Sequence, residues 1–128
     1  MDNRSRSRAH DLDQDVRVEW PHEGSAVVTF SGEHDAFTAR TVEPALSSLV
    51  DENELVVVDF SEAEFVDSSM IQLLLRSHRT ARERGSIFRL QLGTAPIVEK
   101  AFQFSGVLEV LDRVSTREEA LRNRDGPR

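Results

Sequence analysis

The sequence predicts an α/β fold: a mostly parallel central sheet of four to five strands, entered through an N-terminal hairpin and flanked by about four helices. Three observations predict it. Strand-like and helix-like segments alternate from Val16 to Leu121, the pattern of strands joined by crossover helices. Leu55-Val56-Val57-Val58 is apolar on both faces, as a central strand covered from both sides must be. Gly85 and Gly106 close two of the helical runs, where the left-handed C-terminal residue of a helix is expected.

The elements follow in order. Met1 to Asp11 is polar and without periodicity, and reads as a disordered tail. Residues 12–122 form one domain, which the length of 128 residues suits. Val16 to Trp20 alternates apolar and polar and stops at Pro21, so it is a strand. A turn at His22 to Ser25 leads to a second strand, Ala26 to Phe30, and the two make a hairpin. Gly32-Glu33-His34-Asp35 reads as a loop. Val42, Ala45, Leu46, Leu49 and Val50 have helical spacing within about Thr38 to Asp51, with Pro44 either near the start of that helix or in an irregular first turn.

Asp59 ends the central strand, and Asp59 to Ser69 is a second loop before a helix from about Ser68 to Arg84. Ile87 to Leu92 is the next strand. Thr94 caps a helix carrying Ile97, Ala101 and Phe102, and Leu108 to Leu111 is a short strand or an apolar connection. Ser115 and Glu118 have the spacing of a capping box. Asn123 to Arg128 reads as a flexible tail.

Composition narrows the chemistry. The net charge of -7 argues against nucleic acid as a direct partner, because that binding rests on neutralising phosphates. With no cysteine there is no disulfide, thiolate site or thiol nucleophile. Fifteen of the sixteen basic residues are Arg, and Lys100 stands alone, which leaves little for Schiff-base work. No apolar run reaches the ~18 residues of a membrane span. A cytoplasmic protein without membrane contact is expected.

In open α/β sheets, sites lie outside the carboxyl ends of the strands. Here those places are the loops Ser31 to Phe37 and Asp59 to Ser69. Asp67 suits a helix N-cap. Continuing the stripe Ile71, Leu74, Leu75, His78 and Ala81 backwards puts Ser68 toward the core edge. Ser69 instead heads a polar line with Gln72, Arg76, Arg79 and Glu83. Two readings stay open on spacing alone: the serines only start a helix, or Ser69 is a modifiable hydroxyl. A phosphate there would meet free N–H groups and the positive helix end.

Other chemistries fit less well. Asp59 as the acceptor of a receiver domain would need acidic Mg²⁺ ligands after the first strand and a lysine on a later loop. That strand ends Trp20-Pro21, and Lys100 falls inside a helix; Asp59 as a loop-ordering acceptor is the simpler account. A serine hydrolase would need a G-x-S-x-G elbow, which is absent. The four histidines lack metal-ligand spacing, so no metal and no cofactor are expected.

The set Gly32-Glu33-His34-Asp35, Val56 to Phe60, and Val66-Asp67-Ser68-Ser69 before an Arg-rich helix resembles the STAS domain of bacterial anti-sigma factor antagonists. The endings FQFSGVLEVL and TREEAL resemble that family's last third. The resemblance implies a binding protein and not an enzyme. Its partner would be an anti-sigma factor of the serine-kinase type, so that a sigma factor is released for transcription. Phosphorylation of a serine at the start of the second helix would end the binding, and a serine phosphatase would reset it.

Carried onto this chain, the acceptor is Ser69, with Ser68 the alternative, and Asp35 matches an acidic residue that engages the partner. The expected contact surface is Gly32, Glu33, His34 and Asp35, together with Asp67, Ser68, Ser69, Met70, Gln72 and Arg76. The family carries Gly where this chain has Met70. That departure leaves open a second reading, a STAS scaffold in a regulatory complex that is never phosphorylated.

Overall fold

The computed structural model describes residues 8–122. Six strands form one sheet in sequential order: β1 Arg8–Asp13, β2 Val16–His22, β3 Ser25–His34, β4 Leu55–Val66, β5 Ile87–Gln91 and β6 Asp112–Val114. The first two pairings are antiparallel and the last three parallel. Four helices connect and cover them: α1 Ala36–Glu52, α2 Ser68–Arg84, α3 Pro96–Ser105 and α4 Arg117–Ala120.

Side-chain alternation divides the sheet into two faces. Val18, Val28, Val58 and Leu90 line up across β2 to β5 and belong to the main core beneath α1, α2 and α3. One residue back, Glu19, Val27, Val57, Arg89 and Asp112 line up on the other face. There a small cluster of Val27, Leu55, Val57, Val114 and Ala120 packs under α4. The double-sided apolar run of β4 is thus covered from both sides, as its sequence requires.

The four-residue α4 is fastened by charge as well as packing. Arg117 Nη2 lies 3.3 Å from Oδ2 of buried Asp59 and its Nη1 lies 3.5 Å from Glu19. Arg89 Nη1 donates to the carbonyls of Ala120 and Arg122 at 3.0 and 2.6 Å. Asp59 does order its chain locally, accepting from Ser61 N at 2.9 Å.

Several expectations are corrected. Residues 8–11, read as tail, pair with β2 from Arg8↔Trp20 onward. That edge strand lacks apolar alternation because it lies at the margin of the core, with Leu12 and Trp20 only partly buried against it. The remaining tail residues, 1–7 and 123–128, lie outside the described residues. β4 does not stop at Asp59 but continues to Val66, and the 32–35 loop is the end of β3 followed by Asp35. α1 runs through Pro44 from Ala36. Pro44 and Arg40 are both exposed, so the carbonyl that the proline leaves unpaired faces water.

α3 is capped by Ala95 without a side-chain hydrogen bond, with Pro96 in place of a capping donor requirement, so Thr94 is not the cap. Leu108 to Leu111 is no strand: a 3₁₀ turn spans Val107–Glu109 and β6 follows it. The last helix is capped one residue later than its box spacing suggests. Thr116 Oγ1 accepts from Glu119 N, while Glu119 reaches back to Ser115 N.

Candidate functional site

β5 accompanies β4 only as far as Asp59↔Gln91. Beyond that point β3 and β4 run on together, through Ser31↔Glu62, Gly32↔Ala63, Glu33↔Phe65 and His34↔Val66. Register shifts on both sides of Gly32 bend this two-stranded extension, and Gly32 takes the positive φ of 79° that such a bulge needs. α1 and α2 depart from its two tips.

Both departures use the same device. Asp35 Oδ1 accepts from Phe37 N and Thr38 N at 3.1 and 3.3 Å, and Asp67 Oδ1 accepts from Ser69 N and Met70 N at 2.9 and 3.4 Å. Each aspartate satisfies two of the N–H groups that open a helix and places a negative charge on its positive end. A backbone bond from Asp67 N to His34 O, 3.2 Å, ties the two junctions together. Two helix N-termini therefore open side by side at one end of the sheet, with Asp35, Asp67 and the serine pair around them.

Exposure sorts the expected contact residues. Glu33, Asp35, Ser68, Gln72 and Arg76 are exposed, and Gly32, Asp67 and Ser69 are half-buried. Arg76 is engaged with Glu43 across the α1–α2 seam at 3.3 Å. Two residues drop out of the surface. His34 is buried, its ring edge-on to Phe30 at 5.2 Å, and its Nε2 donates to Ser31 O at 2.7 Å. Met70 is fully buried, at 0% exposure. Neither can touch a partner from this position.

The orientation of the serines is also corrected. The buried stripe of α2 is Met70, Ile71, Leu73, Leu74, Ser77 and Ala81, while Leu75 and His78 are only half-buried. Its centre is turned by one residue from the stripe read off the sequence. Ser68 lies two residues before Met70, about 200° round the helix, and so faces outward. Ser69, about 100° away, sits at the margin. The deviation arises because the stripe read from the sequence includes neither Met70 nor Ser77, both of which are buried.

The spacing also missed two exposed aromatics near this end. Phe37, second residue of α1, is 65% exposed, and Phe65, beside Glu33 on β4, is 43% exposed. Glu62 and Glu64 on the strand extension are exposed too. The run Glu62-Ala63-Glu64-Phe65, polar at both glutamates, was the available signal. Among the described residues, no group of three acidic or histidine side chains is arranged to hold a metal ion, and no helix is long and apolar enough to cross a membrane.

Comparison with known proteins places these features in a family context. Residues 17–112 match a family model described as "Mlab, STAS domain". An anti-sigma factor antagonist from Mycobacterium paratuberculosis is 26% identical, with a TM-score of 0.76 over 87% of this chain and 93% of that one. The anti-sigma factor antagonist SpoIIAA of Bacillus, in its unphosphorylated form, is 25% identical, with a TM-score of 0.74 over 88% of this chain and 99% of its own. A sulfate transporter family protein from Wolinella succinogenes shares the fold, with 16% identity and a TM-score of 0.67 over 80% and 85% of the two chains. No curated protein matches by sequence.

Proposed function

The chain belongs to the STAS domain family, and from that premise we propose that it is an anti-sigma factor antagonist. It binds an anti-sigma factor of the serine-kinase type in the cytoplasm, frees the sigma factor, and is switched off by phosphorylation at Ser69, with Ser68 the alternative acceptor. It works by association and not by catalysis, and a serine phosphatase restores the binding form. The likeness to solved anti-sigma factor antagonists at 25 and 26% identity over most of both chains supports this choice among STAS proteins. SpoIIAA itself has phosphorylated and unphosphorylated forms.

The observation that carries the reading is the pair of aspartate-capped helix starts joined at the Asp67–His34 backbone bond. A partner that docks there meets exposed Asp35, Glu33 and Ser68 with half-buried Asp67 and Ser69. A phosphate on either serine lies at the positive end of the α2 dipole, where an anion is favoured, so the fold accommodates it. It also adds about -1.5 to -2 charges to a surface already bearing Asp35 and Asp67, which repels or crowds a partner shaped for the unmodified form.

The switch distinguishes this reading from a scaffold that is never phosphorylated. Met70 gives little support to the scaffold, because its side chain is inside the core and does not stand in the way of an approaching kinase. The test compares binding of Ser69→Ala and Ser69→Asp chains to the anti-sigma factor by titration calorimetry. The Ala chain is expected to bind like the native protein and the Asp chain at least about tenfold more weakly. Equal affinity would remove charge at this site as the control.

A further inference from the structure

On the outer side of α2, about 15 Å along the helix from the serine pair, a groove of about 450 Å³ opens between that helix and the end of the 3₁₀ turn. Leu75, His78, Arg79 and Arg82 line it from α2 at the spacing 3-1-3, with Glu83 at the rim and half-exposed Val110 opposite. The volume is in the range of small-molecule sites, roughly 300–1,000 Å³. Another indentation, between α1 and α2, is about 160 Å³, and its Arg76 is already paired with Glu43.

The charges here are unspent. Arg76 pairs with Glu43 and Arg84 with Asp51, yet Arg79 and Arg82 make no ion pair among the described residues. Arg82 lies in the last turn, where a cation offsets the helix dipole. Arg79, a turn earlier, has no such role. In a chain of net charge -7, Arg79 and Arg82 beside Glu83 leave this groove locally positive, opposite in sign to the protein as a whole. At i and i+3 both can reach one dianion, and guanidinium forks suit phosphate oxygens. Leu75, Val110 and the His78 ring, itself edge-on to Phe88, supply an apolar floor beside them.

We propose that this groove binds a small organic phosphate, its phosphoryl group held by Arg79 and Arg82 and its apolar or aromatic body lying on Leu75, His78 and Val110. Burial, and then the Arg82 charge, hold His78 below its ordinary value of 6.5. A dianion beside Arg82 offsets that charge, so the His78 titration reports occupancy. Glu83 is the acidic group at the groove and sets the background against which the ligand competes.

The test titrates the intact chain with phenyl phosphate and with inorganic phosphate, following the His78 ring by NMR and heat by calorimetry. Saturable phenyl phosphate binding is expected, about tenfold or more tighter than inorganic phosphate. The His78 midpoint should rise by on the order of half a pH unit. R79Q/R82Q, exposed changes that leave the core alone, should lose both effects. No saturation by about 10 mM, equal affinity for inorganic phosphate, or binding unchanged in the double variant would each overturn the proposal. The site is separate from the serine pair, so Ser69→Ala should bind phenyl phosphate as the native chain does.

Discussion

Met70→Ala is expected to destabilise the domain strongly while leaving the surface of the serine pair intact. Met70 is the third residue of α2, 0% exposed, and part of the main core together with Leu74 and Ala81. Truncating a buried Met removes its transfer energy and leaves a cavity, at a cost in the range of about 2–5 kcal/mol. The site lies at the end of the helix, where partial collapse is easier than mid-core, so about 3 kcal/mol is the working figure. With a urea m-value of roughly 1–3 kcal/mol/M, the midpoint should fall by about 1–3 M. Met70→Leu, nearly volume-conserving, should cost less than about 1.5 kcal/mol. Urea unfolding followed by circular dichroism measures both. A surface contact residue would change stability by no more than about 0.5 kcal/mol; a value that small for Met70→Ala would refute the placement of Met70 and with it the outward turn of Ser68.

Three further outcomes follow from named contacts. Asp67→Ala removes the acceptor of Ser69 N and Met70 N and should cost about 0.5–2 kcal/mol in the same unfolding assay. Arg117→Ala leaves Asp59, 3% exposed, with only the Ser61 N–H; the full penalty for a broken buried pair is about 3–5 kcal/mol, and the partial exposure of Arg117 lowers the expected loss to about 1–3 kcal/mol. His78 is held below 6.5 in the folded state, so the unfolded chain binds more protons as pH falls through 6.5, and stability drops there until the folded His78 also protonates. His78→Gln should remove that dependence from the pH series of unfolding midpoints.

The segments that make the sheet were legible because burial imposes a period. Val16 to Trp20 alternates, Leu55 to Val58 is apolar throughout, and both strands stand where those patterns put them. Gly85 closes α2 at φ 79°, as a helix-ending glycine should. β1 was not legible, since an edge strand with few buried residues carries no period. Neither was the run of β4 past Asp59, where Glu62, Glu64 and Phe65 face water and the strand pairs with β3 after β5 has ended.

At the candidate site the start of α2 after Asp67 was legible in the sequence, and the side-chain directions were not. Asp67 as a helix cap could be read from residue type, and the structure adds Asp35 as its counterpart on α1. The burial of His34 depends on Phe30 and on the strand continuing through a bulge, neither of which is local. The turn of Ser68 outward depends on one residue's phase in the buried stripe. Two of the six buried positions of α2 carry that phase, Met70 in its first turn and Ser77, which at 8% exposure is core although its residue type does not mark it as such.

The central claim is a serine switch at the start of α2, and the direct measurement is where phosphate goes. The chain would be incubated with ATP and the serine kinase that co-purifies with Ser69→Ala, then digested with trypsin and mapped by fragmentation mass spectrometry. Cleavage after Arg40 and Arg76 gives the peptide Thr41 to Arg76, which holds Ser47, Ser48, Ser61, Ser68 and Ser69. The account predicts phosphate on Ser69, or on Ser68 as the alternative acceptor, with loss of kinase binding in the modified fraction. An unmodified serine pair in a chain that still binds the kinase would contradict it.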